Sequence, residues 1–285
     1  MKMGLSIERI GGVLGAEILG FQAKEVYPDA TYELIRQALA EHCVLVMRDQ
    51  PLTDLEAVEF LDRIGITFDQ WNITPDFLSP DTPKVYQLTS RAGGSRYAGS
   101  TWHADYAFTD EPADVSCMQM HKLPAVGGDT GFANMYAAYD ALSDQMKNMI
   151  ADLSAIFDNS RRHRLQYSHE NTVISKEQLD RVPVARHPLV ITHPLTGRKA
   201  LYCSEALVDT IVELPPLESK AVVDFLHNHV DQHQFHYRHV WRANDLVLVD
   251  NRCTNHCAIA DYDIDVSREG IVLCAHMDPS PFRLS

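Results

Sequence analysis

The chain has 285 residues, 45% hydrophobic and 22% charged, which is the composition of a folded globular protein long enough for a sizeable core. A formal net charge of −14, with no large Lys/Arg cluster, argues against nucleic acid as a partner. No run approaches the roughly 20 apolar residues of a membrane span. The start, Met1 to Glu8, lacks the apolar segment of a secretory signal.

The six scattered cysteines (Cys43, Cys117, Cys203, Cys253, Cys257, Cys274) contain no CxxC pair and predict reduced thiols in a cytoplasmic protein. Cys253 and Cys257 flank His256 and raise a zinc alternative, although the second ligand pair of a closed structural site is missing.

Taken in order, Ile7–Gly20 alternates glycines with short apolar runs and predicts strand, turn, strand. The glycines do not form GxGxxG ahead of a helix, so no dinucleotide loop is expected. Ala30–His42 carries apolar residues at helical spacing, and Cys43–Arg48 follows as a buried strand. Thr53 and Asp54 offer a cap for a helix with Leu55, Val58, Leu61 and Ile64 as its apolar face. From Thr67 to Ser100 prolines and glycines break the pattern apart from one strand at Lys84–Leu88, and a loop of this length beside a functional motif predicts a lid.

Thr101-Trp-His-Ala-Asp-Tyr-Ala-Phe108 is read as a strand bearing His103 and Asp105, with a further strand at Val115–His121. Pro124–Thr130 is a tight turn in which Gly127 and Gly128 allow close backbone approach, with Thr130 opening the next strand. Asn134–Met149 is predicted as one amphipathic helix with Met135, Ala138, Tyr139, Leu142, Met146 and Met149 along a core-facing stripe. Asp158–Arg186 is polar and irregular; its Arg161-Arg-His-Arg164 cluster suits a solvated loop or an anion-binding second lid. A hairpin over His187–Cys203, a helix at Leu217–Val230, and strands at Phe235–Val240, Asp245–Val249 and Gly270–Ala275 complete the chain. Many short strands with few helices, without β-α-β alternation, predict a mostly β protein with flanking helices around a double-stranded β-helix, or jelly-roll, core.

The chemistry centres on His103 and Asp105. Residues at i and i+2 of a strand share a face, and an imidazole beside a carboxylate supplies two-thirds of the two-histidine, one-carboxylate triad that binds non-haem iron(II). Alone, His-x-Asp equally describes a buried histidine hydrogen-bonded to its neighbour. A distant histidine is available at His256, after a strand ending in Asp250-Asn251-Arg252, where strand edges present functional groups. Arg268, opening the last strand, is a permanent cation able to grip a carboxylate with two hydrogen bonds. His187 and His193, each before proline, read as turn or core histidines. His227, His229 and His233 read as solvated residues on or beyond a helix, and His276 is a weaker candidate to face the pocket.

Trp102-His-Ala-Asp105, Gly127-Gly-Asp-Thr130, Thr192-His-Pro-Leu-Thr-Gly197, Trp241 through Asn251-Arg252, His256 and Arg268 stand in the order and approximate spacing of one family. Across nearly its whole length the chain resembles the taurine dioxygenase family of iron(II)- and 2-oxoglutarate-dependent oxygenases, which includes the phenoxyacetate-herbicide dioxygenases. The resemblance implies His103, Asp105 and His256 as iron ligands, and Arg268 with the Thr130 hydroxyl as partners of the distal carboxylate of 2-oxoglutarate. It implies O2 as oxidant, succinate and CO2 as co-products, and hydroxylation of a small organic substrate, followed by cleavage where the new alcohol carries a leaving heteroatom. Asp105 fills the position left for a halide in related halogenases, so halogenation is not expected.

The chain departs from the sulfonate-specific members. Val272 stands where they carry a second arginine, four residues after the first, and Thr74 falls where they have a lid histidine, so taurine is expected to be a poor substrate. Tyr106, Phe108, Phe77 and Leu207 are the expected pocket lining, with Arg162 or its neighbours facing an acidic group. One catalytic domain, 1–285, with lids at 67–100 and 158–186, is expected to act on a small molecule, as a homodimer or homotetramer. A metal-dependent hydrolase using the same triad, or a non-catalytic small-acid-binding jelly roll, remain the alternatives.

Overall fold

The computed structural model describes residues 5–70, 77–90, 99–161, 183–263, 265–278 and 282. A large sheet organises them. Its strands run in the order β1 (Ser6–Arg9), β2 (Ala16–Leu19), β3 (Val44–Met47), β14 (Leu246–Asp250), β6 (Val115–Lys122), β16 (Arg268–His276) and β4 (Ile66–Thr67), and β5 (Tyr86–Ser90) also pairs with β16. All of these pairings are antiparallel except β2 with β3.

The central strands are apolar on both faces because both faces are covered. Val44, Val46, Met118, Met120, Val247 and Val249 point into one core; Leu45, Met47, Cys117, Leu246, Leu248, Ile271 and Leu273 point into another. The second core is closed by α1 (Asp29–His42) through Tyr32, Ile35 and Leu39, and by α2 (Asp54–Leu61) through Ala57, Phe60 and Leu61. Burial of each such side chain contributes roughly 1.5–3 kcal/mol.

The first core lies toward three smaller sheets. These are β13 (His236–His239), β7 (Thr130–Asn134) and β15 (Thr254–Ala258), in that order; β12 (Val208–Ile211), β8 (Ser154–Asp158) and β9 (Val184–Pro188); and the pair β10 (Val190–Thr192) and β11 (Lys199–Leu201). The helices α3 (Met135–Asp140), α4 (Asp144–Ile150) and α5 (Pro216–Val230) complete the described secondary structure apart from short turns. Strands outnumber helices, as the sequence predicts.

Four local expectations need correction. The α2 face is Ala57, Phe60 and Leu61, continued beyond the helix by Ile64, while Leu55 is exposed; the expected cap is present as a capping box between Thr53 and Glu56. The helix expected over Asn134–Met149 is two, because Asn134 caps α3 through Ala137 N–H and Ser143 caps α4 through Met146 N–H. His103 lies in an isolated bridge rather than a strand, and a turn follows at Asp105. His256 sits within a strand, β15, and not in the loop after β14. In addition, the sequences of β8, β12 and β15 lack a clear alternation and do not announce these strands, and Val184–Arg186, expected to be irregular, lies in β9 because it pairs with β8.

Candidate active site

Two antiparallel chain segments meet at the site. His103 N–H donates to His256 O at 3.0 Å and His256 N–H to His103 O at 2.8 Å, so the two residues face each other as a hydrogen-bonded pair. Directly opposed residues of such a pair project their side chains to the same side. The imidazole centroids lie 4.3 Å apart. The turn beginning at Asp105 brings its carboxylate to the Nε2 edge of both rings. His103 Nε2 is 3.7 Å from Asp105 Oδ1, and His256 Nε2 is 3.7 Å from Asp105 Oδ2.

At that separation neither contact is a hydrogen bond. Ligands at about 2.1 Å from a common ion stand roughly 3 Å apart in cis positions, so the three donors are spread only slightly wider than a bound metal requires. All lie within 4.8 Å of one another, and both histidines are buried. The tautomer of His103 suits ligation: its Nδ1 is 2.7 Å from Thr101 O, a carbonyl that can only accept, so the proton is on Nδ1 and Nε2 presents its lone pair.

The flanking contacts hold this geometry. Ala258 N–H donates to Gly99 O, Ala206 N–H to Trp102 O and Ala104 N–H to Ser204 Oγ. Trp102 donates its indole N–H to Asp231 at 3.0 Å. Its ring covers Gly131, where an added Cβ would come within 3.0 Å of it and 3.1 Å of Cys257 Sγ.

Register places the second half of the site. Phe132 pairs with His256 and Thr130 with Ala258, so Thr130 lies on the His256 face of the smaller sheet, one strand over and two residues along, about 7 Å by the rise of a strand. Arg268 reaches this point: its Nε donates to Gly128 O at 2.8 Å, and its Nη2 lies 3.5 Å from Thr130 Oγ1. Burial presses the Arg268 pKa down, yet a guanidinium stays charged in proteins.

The glycine turn makes this contact available. Gly127 and Gly128 both have positive φ, and an added Cβ at Gly127 would meet Asp261 O at 2.7 Å. Gly128 N–H donates to Asp261, which Arg238 ties to Asp129. Trp241 donates its indole N–H to Thr130 Oγ1 at 2.9 Å. The hydroxyl therefore accepts from two donors.

The model of the taurine catabolism dioxygenase TauD, TfdA family matches residues 6–274. The chain belongs to this family. It is 33% identical, over 82% of its length and 85% of the relative's, to an alpha-ketoglutarate-dependent 2,4-dichlorophenoxyacetate dioxygenase of Cupriavidus pinatubonensis. It is 29% identical to an alkylsulfatase of Acinetobacter baylyi, over 90% of this chain and 81% of that one. Among solved structures, AAD-2 in complex with Mn(II) and N-oxalylglycine superposes with a TM-score of 0.81 at 26% identity, covering 97% of this chain and 99% of its own.

Family membership directs attention to the remaining candidates. Tyr106 is half-buried in the turn at positive φ, donates its hydroxyl to Gln70 Oε1 at 3.1 Å, and packs edge-on to Phe68. Phe108 is buried 5.5 Å from Tyr106 by ring centroids. Phe77 stacks on Tyr86, which pairs across the sheet with Val272. Leu207 is buried in the first core, and its carbonyl accepts from Asp158 N–H. Arg162 and Thr74 lie outside the described residues, as do 71–76, 91–98 and 162–182 of the two expected lids.

His187 and His193 are core residues, as expected. His229 departs from expectation: it is buried and bonds Ala138 O through Nε2 at 2.8 Å. His276 stacks on Phe68 at 4.4 Å and so borders the Tyr106 cluster.

The zinc alternative around Cys253 and Cys257 finds no common centre. His256 turns to Asp105, Cys257 lies beside Gly131, and Cys253 groups with His193 and Asp250. In that last group Arg252 donates to both Asp250 oxygens, at 2.8 and 2.7 Å, placing a positive charge where a cation would otherwise sit. Sequence reasoning missed the roles of Ser116, Asn251 and Trp241. Asn251 and Trp241 stood within the quoted motifs, while Ser116, one serine on an apolar strand, gave no signal.

Proposed function

We propose that His103, Asp105 and His256 hold iron(II) and that Arg268 and Thr130 bind the distal carboxylate of 2-oxoglutarate. The chain is an iron(II)- and 2-oxoglutarate-dependent dioxygenase of a small organic substrate, with O2 as co-substrate and succinate and CO2 as co-products. The observation carrying the residue assignment is the His103–His256 pair with the Asp105 carboxylate 3.7 Å from the Nε2 of each ring. Two imidazole nitrogens and one carboxylate form the donor set of a facial triad, which leaves positions for a chelating keto acid and for oxygen.

Bound there, the metal and keto acid supply the oxidising power for an unactivated C–H bond. The protein supplies placement. Thr101 O fixes the His103 tautomer, Arg268 offers fixed charge to a carboxylate, and the Thr130 proton, freed by Trp241, completes that grip. A register separation of about 7 Å between His256 and the Thr130 level suits a five-carbon keto diacid spanning from metal to arginine.

The sheets are read as a jelly roll: the large sheet backs the first core, and the β13-β7-β15 sheet carries His256 and Thr130 opposite it. One catalytic domain over 1–285, with lids at 67–100 and 158–186, is the accompanying reading, and a dimer or tetramer accords with the family. A cytoplasmic setting is supported by six buried cysteines, all unbonded. No helix among the described residues is long and apolar enough to cross a membrane.

For substrate, the reading is an organic acid with a sizeable apolar body against Tyr106, Phe108, Phe77 and Leu207, with Arg162 or a neighbour meeting its charge. The phenoxyacid and alkylsulfate activities named for relatives support that class. Val272 lacks a charge for a sulfonate, so taurine turns over poorly.

The test adds Fe(II) and 2-oxoglutarate to purified protein without oxygen. A weak visible charge-transfer band is expected, absent in His103→Ala. Succinate release with phenoxyacids or alkylsulfates should require air, with product mass raised by one oxygen or cleaved, and product formed under argon would overturn the proposal.

A further inference from the structure

Behind Asp105 lies a closed ring of hydrogen bonds that the reaction does not itself require. Asp105 N–H donates to Asn251 Oδ1 at 3.2 Å, Asn251 Nδ2 donates to Ser116 Oγ at 2.8 Å, and Ser116 Oγ–H donates to Asp105 Oδ2 at 2.7 Å. Each direction is forced. A backbone N–H and an amide NH2 only donate, and an ionised carboxylate only accepts, so the single serine proton must go to Oδ2.

Cys274 Sγ lies 3.4 Å from the same serine oxygen. Because the one Ser116 proton is committed to Asp105, the Cys274 thiol is the donor of this contact. Ser116 is wholly buried on β6, Asn251 is 2% exposed in the β14–β15 connection, and Cys274 is buried on β16, so three elements converge on one carboxylate.

We infer that Ser116 and Asn251 are positioning residues that clamp Asp105 at its backbone and at Oδ2, so that the carboxylate ligates through Oδ1 and metal affinity is set from behind the site. The inference rests on the reading of His103, Asp105 and His256 as the metal site. The reason is general: a carboxylate has two oxygens, and a charge-assisted hydrogen bond to one leaves the other as the stronger ligand and removes rotation about the side chain. Without the ring, Asp105 would swing between one-oxygen and two-oxygen binding, and the latter would occupy a position needed by co-substrate.

The test is metal binding by the full-length protein without co-substrate. Mn(II) is titrated by electron paramagnetic resonance, and Co(II) by its visible ligand-field bands. Ser116→Ala should weaken Mn(II) binding about ten- to a hundredfold and alter the Co(II) spectrum, Ser116→Thr should restore both, and Asn251→Ala should fall between. Metal-free thermal unfolding of each variant separates this from misfolding. If Ser116→Ala does not fold, Asn251→Ala and Ser116→Thr decide the matter by the same titration. Wild-type affinity in a folded Ser116→Ala or Asn251→Ala protein overturns the clamp alone. Failure of wild-type protein to bind Mn(II), or retention of full binding in His103→Ala, overturns the metal site itself.

Discussion

Arg268 shows how one side chain is made useful by what surrounds it. Its guanidinium donates to Gly128 O and reaches Thr130 Oγ1, and the Thr130 hydroxyl also accepts from Trp241. Charge-assisted bonds contribute about 1.5–3 kcal/mol, so Arg268→Ala should raise KM for 2-oxoglutarate roughly ten- to a hundredfold or more. Trp241→Phe removes one neutral bond of about 0.5–1.5 kcal/mol and should raise that KM roughly threefold to tenfold with kcat less affected. Steady-state kinetics with varied 2-oxoglutarate checks both, and an unchanged KM in Arg268→Ala would remove the arginine from the cosubstrate site.

Two buried groups couple stability to pH in the same direction. Burial, then the Arg161 charge, pushes His227 down to about 4, and its Nε2 has no hydrogen-bond partner among the described residues. The unfolded histidine takes up its proton near 6.5. Between about pH 6.5 and 4 the unfolded chain therefore binds more protons, and stability falls as pH falls. The urea midpoint should decline across that window, and less steeply in His227→Gln.

Asp250 acts lower. Burial alone would raise its carboxyl, but Arg252 and His193 outweigh burial and hold it well below the usual carboxylate range. Its contribution is present above the unfolded value of about 4 and is lost as pH drops toward the folded one. Asp250→Asn leaves Arg252 buried without its counter-charge and should cost about 3–5 kcal/mol, read by urea unfolding at neutral pH.

At the scale of elements, capping decided more than periodicity. The α2 boundary follows from the reciprocal Thr53–Glu56 bonds, and Thr53→Ala should lose about 1 kcal/mol, measurable as a lower urea midpoint with catalysis unchanged. The sequence did contain both caps of the α3–α4 pair, Asn134 and Ser143, but the methionine stripe at helical spacing ran across the break and masked it. Strands β3, β6, β14 and β16 were legible because continuous apolar runs identify strands buried on both faces. Strand β15 was not, since Thr254-Asn-His-Cys-Ala258 has no alternation of its own and becomes extended only by pairing with β7.

Across the whole molecule, the large sheet separates a purely structural core from the core beneath the site. Helices α1 and α2 close the structural core far from His256 in the sequence, and the proposed site residues with their positioning partners are drawn from segments beginning near 101, 116, 130, 241, 251 and 268. The sequence by itself determined the residue types, the two-part motif and, through its resemblance, the family and the iron and 2-oxoglutarate chemistry. Those are properties of local spacing and of order along the chain. Only the tertiary structure decided that His103 and Asp105 converge through a one-residue bridge and a turn rather than by strand alternation, and that Ser116 and Asn251 close a ring behind the carboxylate. The His103–His256 bridge and both Asn251 contacts join residues more than a hundred positions apart, and no local pattern encodes which distant polar group will arrive when the sheets pack.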